Sequence, residues 1–287
     1  MNRLFAPSLL ALLMAAPLLA QAVEITAGTS EYITFRDCIA GATACDNISP
    51  IVAGQFGGNP GAYSSAASQN HAGYGSASGN VSFSGTIGAP VLHASASADL
   101  GKRANTNSVA LQSYTYTGST PTTRTFGGTL TYSQSLTGVY PDNAATGVYA
   151  MIDAFTLTAS AIDAGSDSES NFNALFGEPF TTDPSYGYAD IAQNTFSDDT
   201  STAAGSGSLG VTLTLTPGET IWLYVALQTP AINGSVIDAS HTLVTGWDIT
   251  TDLTPAAVSQ PVPESSPLAL FGAGLAALVA ATRRRRA

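Results

Sequence analysis

The chain has 287 residues, 44% apolar and only 10% charged, with nine basic against 20 acidic residues and a formal net charge of −11. Between residues 23 and 262 only Arg36, Lys102, Arg103 and Arg124 are basic, against 19 acids, so that stretch carries a formal charge of −15. Such a surface stays soluble and repels polyanions, which excludes a groove for a DNA or RNA backbone.

Residues 1–22 read as a secretory signal peptide. Arg3 supplies the positive start and Leu9 to Leu19 the apolar run; Ala20-Gln21-Ala22 is a small-residue cleavage site that leaves Val23 as the first mature residue. The precursor is therefore expected to cross the membrane through the secretion translocon. Cys38 and Cys45 follow with six residues between them. A close, even pair in an oxidising compartment predicts a local structural disulfide. Closing so short a loop contributes about 2–3 kcal/mol in the chain-entropy account.

Residues 54–79, rich in Gly, Ser and Ala, are expected to be loosely ordered. Beyond them the dominant signal is a period of two, which puts alternate side chains on opposite faces of a strand. Asn80–Ser84 aligns Val81 with Phe83. Val91–Leu100 sets Leu92, Ala94, Ala96 and Ala98 against His93, Ser95, Ser97 and Asp99. Strands are also predicted at Leu111–Thr117, Thr129–Ser133 and Val148–Ala159; the last aligns Tyr149, Met151, Phe155 and Leu157, with Asp153 among them. Gly165–Ser208 is polar and reads as long loops, with short strands near Tyr186 and Ile191. At its start, Asp163, Asp167 and Glu169 line DAGSDSES, which is either a candidate calcium loop or a solvated acidic loop, and Asp198-Asp199 is a second acidic cluster.

The clearest pattern is Gly207–Gln228. Val211, Leu213 and Leu215 alternate with threonines, and Pro217-Gly218 marks a turn. Then Ile221, Leu223, Val225 and Leu227 share one face while Trp222, Tyr224 and Ala226 share the other. A strand apolar on both faces belongs in the middle of a sheet. A last strand is predicted at His241–Ile249 with Leu243, Trp247 and Ile249 together. Many short strands with Gly/Pro turns and no sustained helical period predict an all-β protein, a single jelly-roll-like β-sandwich.

Catalytic chemistry finds little support. The three histidines, His71, His93 and His241, lack zinc spacing, and no serine sits in a G-x-S-x-G elbow. Trp222 and Trp247 are expected in strand faces or the core; Tyr186 and Tyr188 are alternative aromatic contacts for a sugar. No enzyme activity and no obligatory cofactor is expected; calcium is the one candidate ion.

The end of the chain carries three signals in order: Pro263-Glu264-Ser265, an apolar run from Leu268 to Ala281 containing Phe271-Gly272-Ala273-Gly274-Leu275-Ala276, and Arg283-Arg284-Arg285-Arg286. The apolar run partitions into the bilayer and the arginines stop transfer, because moving them across is costly. Its 14 residues fall short of the roughly 20 that span a bilayer comfortably, which suits a transient inner-membrane anchor. The arrangement resembles the PEP-CTERM sorting signal of Gram-negative bacteria, departing from it at Ser265, where a second proline is usual. The resemblance implies recognition and cutting by a membrane-embedded exosortase, and release to the cell surface or an exopolysaccharide matrix. The organisation expected is a signal peptide at 1–22, an ectodomain at 23–250, a Pro/Thr linker at 251–262 and a sorting segment at 263–287. The function expected is structural or adhesive in the exopolysaccharide or biofilm. The alternatives are a carbohydrate-binding module for the matrix glycan and, less so, a glycan-acting hydrolase.

Overall fold

A computed structural model of the chain describes residues 27–37, 46–56, 64–85, 87–137, 146–157, 188–200 and 203–256. They form strands β1 (Gly28–Asp37), β2 (Asp46–Phe56), β3 (Ser65–His71), β4 (Gly75–Ser84), β5 (Ala89–Ala98), β6 (Lys102–Tyr116), β7 (Thr122–Ser135), β8 (Val148–Leu157), β9 (Tyr188–Asp198), β10 (Ala204–Leu215), β11 (Thr220–Ile232), β12 (Val236–Trp247) and β13 (Leu253–Ala256). Sheet I runs β2-β1-β6-β11-β8-β9, with β13 paired to β6; sheet II runs β10-β7-β12-β5-β4-β3. Every pairing is antiparallel. The protein is an all-β sandwich of two antiparallel sheets, and its described residues belong to one compact unit, Glu24–Gln260.

From β5 to β12 the chain crosses between the sheets at every connection except β8 to β9, which pair side by side in sheet I. Counted one to eight, these strands stand in the order one, eight, three, six in sheet II and two, seven, four, five in sheet I. Strands β1 to β4 widen the sandwich as two hairpin-linked additions, β2-β1 beside β6 and β3-β4 beside β5.

The inner faces follow the alternation read from the sequence. Leu92, Ala94, Ala96 and Ala98 of β5, Val211, Leu213 and Leu215 of β10, and Ile221, Leu223, Val225 and Leu227 of β11 share one core with Phe126, Leu130 and Leu243. At one end of it Trp247 meets Tyr114 and Phe126 edge-on, with ring centroids 5.5 and 5.2 Å apart. The Tyr114 hydroxyl is satisfied inside the core by the Gly88 carbonyl at 3.0 Å.

Strands β6, β11 and β8 are buried on both faces, as a strand in mid-sheet must be. The outer face of sheet I carries Leu111, Trp222, Tyr224, Met151 and Phe155, all closed to solvent, and Phe155 stacks on Trp222 at 17°. No described strand lies over this face; the core shared with sheet II lies on the other side.

Four expectations need correction. Residues 54–79 are not all loosely ordered, since β3 and the start of β4 lie there. In the polar stretch 165–208 the strand expected near Ile191 is β9, 11 residues long rather than short, and β10 begins at Ala204. The last long strand begins at Val236 rather than His241, and Ile249 lies beyond it, exposed. Strand β13 extends the sandwich into the range read as a linker, because Leu253–Ala256 finds the free side of β6 beyond the end of β1.

Candidate functional site

The outer face of sheet II is built from the polar halves of alternating strands. One row of paired positions crosses all six strands: Ser68, Ser78, Ser95, Asp238, Ser133 and Ala204. On the β7–β10 half, Thr129, Thr131, Ser133, Ser206 and Ser208 are all exposed. The face is small, hydroxylic and open.

On the β3-β4-β5 half this surface sinks into a shallow groove of about 330 Å³, bordered by Ala66, Ser68, Ser78, Asn80, His93 and Ser95. Its floor is strand backbone at Ala67, Gly79 and Ala94, whose side positions turn inward to the core. Ser78 and Ser95 are bonded hydroxyl to hydroxyl at 2.7 Å. Asn80 is fixed by its amide nitrogen, which donates to the Ser65 carbonyl at 3.1 Å.

Among the described histidine side chains, His93 has a side-chain partner on a neighbouring strand. Its Nδ1 lies 3.1 Å from the Thr242 hydroxyl. Thr242 belongs to an irregularity in β12, where the register shifts between Ala239 and Leu243 against β5 and between Asp238 and Leu243 against β7. Its φ of 98° is a costly conformation for a β-branched residue. Such an outlier persists only where the surroundings over-determine it, and it points to a local role.

Beneath the groove, on the inner side, lies Glu31. It is fully buried between the sheets. A Cβ at position 79 would overlap its carboxyl oxygen, so only glycine fits there. Burial pushes the Glu31 carboxyl up to about 9, against the opposing effect of hydrogen bonds from Ser108 and Ser65. The carboxyl therefore keeps its proton at neutral pH. Ser108 Oγ lies 2.6 Å from Glu31 Oε2 and 2.7 Å from the His93 carbonyl oxygen. A hydroxyl has one proton and a carbonyl can only accept. With that proton given to His93, the retained proton of Glu31 completes the other bond.

The remaining sequence candidates fall elsewhere. His71 packs against Phe35 and Tyr74, with ring centroids 5.5 and 4.7 Å away. His241 lies in β12 and Tyr188 at the start of β9. Trp222 and Trp247 are buried and offer no platform to a sugar. Asp198 is structural: it accepts from the Tyr132 hydroxyl and from the Thr200 backbone. Outside the described residues lie Ala20, Ala22 and Val23; Cys38 and Cys45; Asp163, Asp167 and Glu169; Tyr186; Pro263, Glu264 and Ser265; and Arg283, Arg284, Arg285 and Arg286. The β1–β2 ladder ends on Asp37 opposite Asp46, the two residues next to the cysteines in sequence. Among the described residues no three His, Cys, Asp or Glu side chains group to hold a metal ion, and no helix is long and apolar enough to cross a membrane.

Sequence reasoning placed His93 on a polar strand face but gave Glu31, Asn80 and Thr242 no part. No local signal marks them; they meet the groove only through strand register and the β12 irregularity.

No protein-family model matches the chain, and no curated protein matches it. A solved chain described as the "structural basis for the promiscuous specificity of the carbohydrate-binding modules from the beta-sandwich super family" is similar at 10% identity and a TM-score of 0.23, over 79% of this chain and 94% of that one. Nothing about this chain's ligand follows from a likeness of that size.

Proposed function

We propose that this chain is an exported, jelly-roll-like β-sandwich with a structural or adhesive role, held at the cell surface or in an exopolysaccharide matrix. The strand order of β5 to β12 supports the jelly-roll reading, and the signal peptide and the tail support the route. In that route an exosortase cuts near Pro263-Glu264-Ser265 while the apolar run and the four arginines hold the precursor in the inner membrane. The open hydroxyl face of sheet II carries the adhesive reading: it offers many weak hydrogen bonds to a polyhydroxylated polymer and no cationic groove for nucleic acid. The role is one of contact rather than catalysis.

Two measurements test this. Fractionation with intact-mass analysis should find a mature species beginning at Val23 and ending near residue 263; a variant lacking 263–287 should keep the N-terminal cut and lose membrane retention. Full-length precursor in the cytosol overturns the route. For adhesion, the processed protein should be retarded in a gel containing the neutral matrix polysaccharide. Bulky charged substitutions across the face, Ser133→Glu with Thr131→Glu, should abolish the retardation; unchanged mobility of the wild type refutes the adhesive role.

A further inference from the structure

We propose that the groove over Ala67, Gly79 and Ala94 is a subsite for a single uncharged glycosyl ring, with His93 and Asn80 as its polar wall. This rests on the adhesive reading and assigns it a place and a ligand class.

Size comes first. At about 330 Å³, open on one side, the groove is at the lower end of ligand pockets and accepts one ring of a polymer whose remainder runs over the surface. Its exposed lining is mostly apolar, which suits the C–H face of a sugar. Its walls are arranged for hydroxyls. The Ser78–Ser95 pair uses one hydroxyl proton in its mutual bond, so the other is left to donate outward. Asn80 is anchored through Nδ2, and its amide oxygen is the end that this bond does not engage. His93 is oriented by Thr242, whose strained backbone holds the hydroxyl against Nδ1.

Charge selects the class. The groove lining contains no Lys, Arg, Asp or Glu. Asp238 stands one strand away, opposite Ser95, and the mature stretch carries −15. A uronate would meet repulsion and no cation to offset it. A protonated amino sugar would find no carboxylate in the lining itself, Asp238 standing on the neighbouring strand. A neutral ring loses nothing.

The test is an amide NMR titration of the processed protein with glucose, mannose and N-acetylglucosamine, beside glucuronate and glucosamine. A neutral sugar should move resonances of residues 66–68, 78–80 and 93–95. Its affinity should fall at least tenfold in His93→Ala and be lost in Ser95→Trp, which fills the groove, while Ser119→Trp, exposed between β6 and β7 and outside that face, leaves it unchanged. The unperturbed remainder of each variant's spectrum verifies its fold, and Asn80→Ala serves as a gentler second variant. If a neutral sugar moves β7 and β10 resonances instead, and Ser95→Trp binds as the wild type does, the groove is refuted and the adhesive face survives. Binding of glucuronate or glucosamine alone overturns the uncharged class. Silence toward every sugar and retardation by no polymer removes both readings together.

Discussion

The two sheets of the sandwich present opposite kinds of outer face. Sheet I turns Leu111, Trp222, Tyr224, Met151 and Phe155 away from the shared core, yet all are closed to solvent. Sheet II turns serines, threonines and alanines outward, and on its β7–β10 half they are open. The difference begins in the strands. β6, β11 and β8 carry apolar residues at both parities, whereas β5, β7 and β10 alternate apolar with small polar residues. Sheet I therefore buries large side chains on both of its faces, and sheet II on one. A ligand can reach this protein across sheet II.

Substitution should separate the faces most sharply through stability. Trp222→Ala removes a fully buried ring stacked on Phe155 and should cost about 3–5 kcal/mol, even though Trp222 lies on an outer face. Ser133→Ala, in the same topological role on sheet II, should stay within about 0.5 kcal/mol of the wild type. Chemical denaturation of both reads the contrast directly. Equal effects would mean that the outer face of sheet I is a surface after all.

The next largest effect lies between the sheets and depends on pH. Glu31 keeps its proton in the fold up to about 9, while the unfolded chain releases it near the ordinary value of 4.5. The folded state therefore binds more protons across that window, and stability falls as pH rises through it, by at most about 1.4 kcal/mol per unit. Below pH 4.5 both states are protonated and the penalty vanishes. Glu31→Gln cannot ionise, so the difference between wild type and variant should grow steadily from pH 5 to pH 9. Parallel curves would show that Glu31 is already charged in the fold. Gly79→Ala probes the same spot from the groove side. Its Cβ meets the carboxyl, and the cost, about 1–3 kcal/mol, should be partly relieved when Glu31 is also shortened to alanine.

Legibility in the sequence followed hydropathy contrast. The alternation in 207–228 gave β10 and β11 with their correct faces, and Leu92 to Ala98 gave β5. β3 was hidden because its inward positions, Ser65, Ala67, Gln69 and His71, contrast little with Ala66, Ser68 and Asn70 outside. Turn chemistry was visible, but its destination was not. Gly218 after Pro217, and Asn233 with Gly234, take positive φ, and Asn-Gly is a dipeptide that favours hairpins. Here each carries the chain from one sheet to the other, β10 to β11 and β11 to β12. Which sheet a strand joins depends on long-range pairing that no local pattern states. The groove inherits that difficulty, since Ala66, Asn80 and His93 become neighbours only through the β3-β4-β5 register.

The smallest effect concerns the rim where the sheets meet. β9 and β10 are edge strands of sheets I and II, and an uncharged edge invites pairing with another chain. Residues Ala204–Leu215 of β10 contain no charge and no proline. The rim is guarded from β9: Asn194 donates its amide hydrogen to the Gly210 carbonyl at 2.8 Å, and the Phe196 ring covers Gly207. Ala203 accepts from Gln134 of β7, so by alternation Gly210 belongs to the set whose carbonyls face outward from the sheet. Asn194→Ala frees that carbonyl. The exposed hydrogen bond is worth only about 0.5–1.5 kcal/mol, so the melting temperature should move by a few degrees at most. The sensitive readout is association: sedimentation at high protein concentration should show dimers in Asn194→Ala, reversed by adding Thr212→Lys on the same edge. Charge on an edge opposes pairing without disturbing the ladder to β7. Monomers throughout would show that Phe196 alone closes the rim.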